Sequence, residues 1–164
     1  MEIEYRYLAR EDNKAIADLI RSVFREFGIA RPGTVYFDPT TDDLFSLFSI
    51  SGSEYWIAED NGKIIGGCGI YPTENLPDGC GELVKFYLDA SYRGKGIGKQ
   101  LMDISIESAR KMGYKQLYLE SLPELGRAIS LYERAGFKFI NYKMGDSGHF
   151  GCNIWMLKDL QESK

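Results

Sequence analysis

The sequence predicts an α/β fold built on a mixed sheet with helices on both faces. Two observations carry this reading: an early β-hairpin signal, Asp60-Asn61-Gly62 between two strand-like runs, and a later strand–helix–strand succession with the length of a βαβ unit. The elements follow in order. Ile3 to Leu8 is a short strand, and from Asp12 onward Ala15, Ile16, Leu19, Ile20, Val23, Phe24 and Phe27 recur at helical spacing until Gly28 stops them. Arg31 to Thr41 carries Pro32, Gly33 and Pro39 and reads as an irregular loop able to cover a site, before a shorter helix near Asp42 to Phe48. Tyr55 to Glu59 and Lys63 to Tyr71 form the hairpin strands, because Asn-Gly supplies the positive φ values that a tight turn requires. A strand at Gly81 to Leu88, a helix from about Gly96 to Met112, a strand at Gln116 to Glu120 and a helix from about Glu124 to Ala135 come next. Strands near Phe137 to Lys143 and Asn153 to Leu157 close the series. The expected order is β-α-α-β-β-β-α-β-α-β-β, with no repeat or linker. At 164 residues and 44% hydrophobic content, one domain over 1–164 can bury its own core.

Charge and composition exclude several function classes. The 20 basic and 24 acidic residues leave a formal charge of −4, so the basic stripe of a nucleic-acid binder is missing and cationic small molecules are better matched partners. Cys68, Cys80 and Cys152 are odd in number and form no CxxC pair, which indicates buried reduced thiols and no metal site. The charged start MEIEYRYLAREDNK does not resemble a signal peptide, and no run of ~18 apolar residues spans a membrane. A soluble cytoplasmic protein is expected, with a homodimer left open.

The most informative stretch is Glu82-Leu83-Val84-Lys85-Phe86-Tyr87-Leu88 followed by Arg93-Gly94-Lys95-Gly96-Ile97-Gly98-Lys99 at the opening of a helix. Gly94, Gly96 and Gly98 let backbone approach a ligand, while the free N–H groups of a first helical turn and its dipole attract anions. Flanked by Arg93, Lys95 and Lys99, this is a pyrophosphate cradle rather than a plain tight turn. A dinucleotide fingerprint would place glycine where Lys99 stands, and a Walker A loop would need Gly-Lys-Ser/Thr.

These residues resemble the GCN5-related N-acetyltransferase (GNAT) family, whose Gln/Arg-x-x-Gly-x-Gly/Ala signature is matched by Arg93, Gly96 and Gly98. Leu131-Tyr132-Glu133-Arg134-Ala135-Gly136-Phe137 is similar to the family's Leu-Tyr-x-x-x-Gly-Phe segment. The element order also matches from about Ile3 to Leu157. The resemblance implies acetyl-coenzyme A as cosubstrate, with the pyrophosphate on the Arg93–Lys99 turn, including the Ile97 backbone. It also implies that the pantetheine arm pairs with backbone along Phe86, Tyr87 and Leu88, between two splayed parallel strands. An amine then attacks the thioester directly, with no covalent enzyme intermediate.

Tyr132 matches the family's general acid. Glu82 falls where histone-modifying relatives place a glutamate base; His149 and a water chain are the other candidates. Lys85 and Glu120, charged residues within apolar strands, either pair with each other or face the cleft, and the ion pair is the favoured reading. Leu125 stands where relatives often carry an Asn that contacts the coenzyme or substrate. Acceptor recognition is expected in the loops, from Tyr36, Phe37, His149 and Phe150, and the amine itself is not specified. The rival from another class is a non-catalytic acyl-coenzyme A sensor or scaffold on the same fold.

Overall fold

The computed structural model describes residues 1–161, so the last three positions of the expected 1–164 domain lie outside the described residues. Seven strands and four α-helices run β1 (Ile3–Tyr7), α1 (Asn13–Glu26), α2 (Leu44–Leu47), β2 (Glu54–Asp60), β3 (Lys63–Tyr71), β4 (Cys80–Leu88), α3 (Ile97–Lys111), β5 (Gln116–Ser121), α4 (Gly126–Arg134), β6 (Lys138–Ile140) and β7 (Ile154–Asp159). They form one sheet in the order β1-β2-β3-β4-β5-β7-β6. Among the described residues only β4 and β5 pair in parallel, the pair joined through α3. The α/β class and element order predicted from sequence are those observed.

Alternation along the strands splits the core into two layers. On one face, Ile65, Ile70, Leu83, Phe86 and Leu117 meet Leu101 and Ile106 of α3 and Tyr132 of α4. On the other, Tyr55 and Ile57 meet Ile16, Ile20 and Phe24 of α1 and Leu44 of α2. Among the described residues no helix is long and apolar enough to cross a membrane.

The expected irregular loop before α2 contains two 3₁₀ turns, Val35–Phe37 and Pro39–Asp43. The buried Thr41 hydroxyl donates to the Val35 carbonyl at 2.9 Å, tying one turn to the other. β6 is shorter than expected because pairing with β7 ends at Ile140, opposite Trp155.

Two irregularities of β4 position the site. Its parallel pairing with β5 covers only Cys80–Glu82 against Gln116–Tyr118, after which the strands part. Against β3, Gly67 pairs with Tyr87 and Gly69 with Val84, so β4 carries one extra residue there, a bulge at Lys85. Lys85 has φ 52°, a left-handed conformation costing a non-glycine residue ~1–2 kcal/mol. Tyr55 holds it in place: its hydroxyl donates to the Lys85 carbonyl at 2.7 Å. The Tyr55 ring lies so close over β3 that a Cβ would come within 2.4 Å of it at Gly67 and 2.6 Å at Gly69. The two glycines of β3 therefore make room for the ring that pins the bulge.

Candidate active site

Where β4 and β5 part, a cavity of about 370 Å³ opens between Phe86–Leu88, the end of α1 (Val23, Phe27), the turn before α3, and α4 (Arg127, Ala128, Leu131, Arg134). The turn is built for an anion. Gly94 and Gly96 have φ of 77° and 83°. A Cβ on either would meet nothing within 4 Å, so the space beside the backbone there is open. The first bond within α3 runs from Gln100 N–H to Gly96 O at 3.1 Å, which leaves the N–H groups of Ile97, Gly98 and Lys99 uncommitted within the helix, at its positive end. A pyrophosphate fits these donors.

The side chains around the turn divide differently from expectation. Arg93 lines the cavity, but its guanidinium is engaged: it pairs with both Glu26 oxygens at 2.6 and 2.9 Å and donates to the Leu88 carbonyl at 3.1 and 2.9 Å. It clasps the end of β4 to the end of α1 rather than standing free as a phosphate ligand. Lys95 is exposed and off the cavity wall, and the Ile97 side chain is in the core. Lys99 lines the cavity while pairing with Asp103 at 2.7 Å. Arg127 and Arg134, missed in the sequence, line it without an ion-pair partner among the described residues. Their seven-residue spacing around Ala128 and Leu131, which puts them on one helical face, was the available signal.

A second cavity, about 40 Å³, lies on the other side of Phe86 and Tyr87, which line both, as does Leu125. Glu82, Lys85, Glu120, Tyr132, His149 and Cys152 line it as well. Glu82 is 3% exposed and accepts from the Thr73 hydroxyl at 2.5 Å. Burial, helped by the charge of Glu120, pushes its carboxyl up to about 8. Glu120 accepts from the Tyr118 hydroxyl at 2.7 Å and the Ser147 hydroxyl at 2.5 Å. Lys85 does not pair with it, contrary to expectation: the bulge turns Lys85 toward the cavity, where burial lowers its pKa against the opposing charges of Asp38 and Glu82.

Tyr132 owes its position to the way α4 ends. Phe137 N–H donates to the Tyr132 carbonyl and Gly136 N–H to that of Glu133, both at 3.0 Å, the Schellman pattern that caps a helix. The Phe137 ring then packs against Tyr132 at 5.9 Å between centroids, as does Phe86 from the opposite strand. The Leu-Tyr-x-x-x-Gly-Phe segment is thus a helix stop that locks its own tyrosine. Burial raises the Tyr132 phenol well above its usual range, so it is protonated at neutral pH.

Two loops close over the small cavity. His149 Nε2 meets Asp38 Oδ2 at 2.8 Å, and Gly151 N–H donates to Gly33 O at 2.7 Å. Burial favours the neutral form of Asp38, but hydrogen bonds from His149 and Thr40, with the charge of Lys85, hold its carboxyl well below the usual range. Of the four loop residues expected to recognise the acceptor, only His149 lines this cavity. Tyr36 packs into the α1 layer, and Phe37 and Phe150 project outward at 58% and 76% exposure, away from the cavities described. Cys68 and Cys80 are buried as expected, whereas Cys152 is half-buried on the cavity wall. Among the described residues no group of three or more His, Cys, Asp or Glu side chains could hold a metal ion.

Comparison with known proteins follows this geometry. Residues 8–137 match the model of the acetyltransferase (GNAT) family. The chain is 42% identical over 156 residues to the Escherichia coli protein called uncharacterized N-acetyltransferase YjgM, covering 94% of this chain and 93% of that one. It is 32% identical over 132 residues to human N-acetyltransferase 8, covering 76% of this chain, and spans about half, 55%, of that longer relative. Among solved structures, a GNAT-family acetyltransferase from Staphylococcus aureus Mu50 superposes with a TM-score of 0.87 at 22% identity over 98% of this chain and 100% of that one. The PaiA N-acetyltransferase of Thermoplasma acidophilum, solved in complex with coenzyme A, superposes at 0.76 with 22% identity over 97% and 99%. With the family model matched over residues 8–137 and a relative 42% identical across nearly the whole of both chains, this chain belongs to the GNAT acetyltransferase family.

Proposed function

We propose that this chain acts as a single-domain N-acetyltransferase, moving an acetyl group from acetyl-coenzyme A to a primary amine by direct attack in a ternary complex. The observation that carries the proposal is the arrangement of two cavities sharing the Phe86–Tyr87 wall, one beneath an anion-binding helix start and the other bearing Glu82 and Tyr132.

When bound, acetyl-coenzyme A supplies an activated thioester. The N–H groups of Ile97, Gly98 and Lys99 hold its pyrophosphate, aided by the charges of Lys99, Arg127 and Arg134, while Gly94 and Gly96 admit it to the backbone. The backbone of Phe86, Tyr87 and Leu88 faces the cavity along the part of β4 that β5 has left, which suits it to pair with the amides of the arm. Glu82 takes the proton from the incoming ammonium, a task matched by a carboxyl poised near neutrality. Tyr132 Oη carries the proton for the departing sulfur. Water is kept from the thioester by the closed Asp38–His149 and Gly33–Gly151 loop contacts.

An amine panel with acetyl-coenzyme A, followed by release of free thiol, tests the reading. Turnover with any primary amine supports it; coenzyme binding without turnover across the panel favours the sensor alternative. Glu82→Gln supplies a further expected result. In the parent enzyme kcat/KM should rise with pH through a limb near 8, and the variant should lose that limb. The sign of the stability effect is fixed as well. Folding raises Glu82 from 4.5 to about 8, so the native state binds more protons in that interval and loses stability as pH climbs through it. Glu82→Gln should melt higher than the parent at pH ~9 and no higher at pH ~5. A variant that keeps both the kinetic limb and the stability slope would remove Glu82 as the base.

A further inference from the structure

The small cavity contains a charge that the reaction described above does not use. Lys85 is the extra residue of the β4 bulge, 7% exposed, and its side chain lines the cavity that holds Glu82 and Tyr132. Its ammonium has no hydrogen bond and no carboxylate within 4.0 Å among the described residues. The acids nearest to it in effect, Asp38 and Glu82, are committed elsewhere. Asp38 accepts from His149, from the Thr40 N–H at 2.9 Å and from the Thr40 hydroxyl at 2.7 Å, and Glu82 accepts from Thr73 at 2.5 Å. A buried ammonium without a dedicated counter-ion is costly, and its pKa is lowered by burial accordingly.

Resting on the proposed acetyl transfer, we infer that the acceptor is an α-amino acid or a molecule ending in that head group, its carboxylate held by Lys85 and its amine facing Glu82. Charge decides between this and a simple amine. A bare ammonium would find acids on the wall but leave Lys85 without a dedicated counter-ion. A zwitterion adds no net charge and brings the missing counter-ion to Lys85 while presenting its ammonium to Glu82 and Glu120 on the same wall. The cavity is small, about 40 Å³, so the bulk of the acceptor does not fit inside it. The rest of the acceptor lies outside, toward the loops that carry Asp38 and His149, where selection among side chains is looser.

The test measures kcat/KM for matched sets of acceptors with saturating acetyl-coenzyme A: leucine, leucinamide and isoamylamine; phenylalanine, phenylalaninamide and phenethylamine; lysine and cadaverine. Each free amino acid is expected to exceed its amide and its decarboxylated amine by about 100-fold, the scale of losing one charged hydrogen-bonded contact in a buried site. Lys85→Met should shrink that preference to within about threefold, chiefly by raising KM for the amino acid, while Lys85→Arg keeps most of it. Amines or amides that match the amino acids, or cadaverine outrunning lysine, would overturn the inference and leave acetyl transfer standing. So would a Lys85→Met protein with the parent's coenzyme-induced rise in melting temperature and an unchanged preference. If no acceptor is turned over although acetyl-coenzyme A still raises the melting temperature, the proposed activity fails and this inference fails with it. The parent enzyme's preference decides the matter even if Lys85→Met does not fold.

Discussion

Tyr132→Phe is expected to lower turnover by about 10²- to 10⁴-fold while leaving coenzyme affinity and melting temperature close to the parent's. The ring is held by Phe86 on one side and Phe137 on the other, contacts that phenylalanine keeps. The Schellman bonds that end α4 use backbone only, so the helix stop is untouched. The hydroxyl makes no hydrogen bond among the described residues, and its removal strips no partner. What disappears is a phenol kept protonated by its surroundings beside the meeting point of the two cavities. Steady-state rates under saturating acetyl-coenzyme A, with a melting curve as control, make the measurement. Near-full turnover would assign the proton to water or to another group.

Gly98→Val is expected to weaken acetyl-coenzyme A binding by about 100-fold or more, through loss of close backbone approach at the start of α3. Gly98 lies in the first turn and lines the larger cavity, and its φ is not in the left-handed range. A Cβ there would stand 3.3 Å from both Leu131 Cδ1 and Phe86 Cζ, so the valine methyls must either crowd those side chains or enter the cavity. The first outcome costs about 1–3 kcal/mol of stability by overpacking; the second occupies the space next to the N–H groups. Isothermal titration of the folded variant measures the loss. An unchanged Kd in a protein that still melts cooperatively would remove the turn from the binding site. Gly96→Val is a less clean probe, because Gly96 sits at φ 83°, where any side chain is strained before a ligand is considered.

The elements were legible in the sequence because each carried a local signal: helical spacing in α1, Asn-Gly between β2 and β3, the glycine cluster before α3. The glycine turn before α3 and the helix stop that holds Tyr132 were legible because each is a contiguous motif whose backbone geometry follows from residue type. The rest of the site is assembled by contacts far apart in the chain, and no window of sequence contains them. Asp38 meets His149 across 111 positions and Tyr55 reaches Lys85 across 30. The misreadings have the same origin. Arg93 was read as flanking a phosphate cradle, and it does line the cavity, but its pairing with Glu26, 67 residues away, could not be read from the turn. For Lys85 an ion pair with Glu120 was favoured over a place facing the cleft because both interrupt apolar strands, but a bulge that pattern alone does not reveal puts Lys85 on the cavity wall. Phe37 and Phe150 were placed at the site for being aromatic in loops, and aromatic character carries no direction.

The parting of β4 from β5 changes the kind of hazard the sheet presents. An intact seven-stranded sheet has two outer edges, and any unpaired row of N–H and C=O groups is a template on which another chain can add a strand. Here the sheet has in addition a stretch of two inner edges, beyond Glu82 on one side and Tyr118 on the other. The end of α1 and α4 wall this gap, leaving a slot lined by Phe27, Leu88 and Leu131. The fold thus keeps an unpaired strand edge in its interior, walled by two helices.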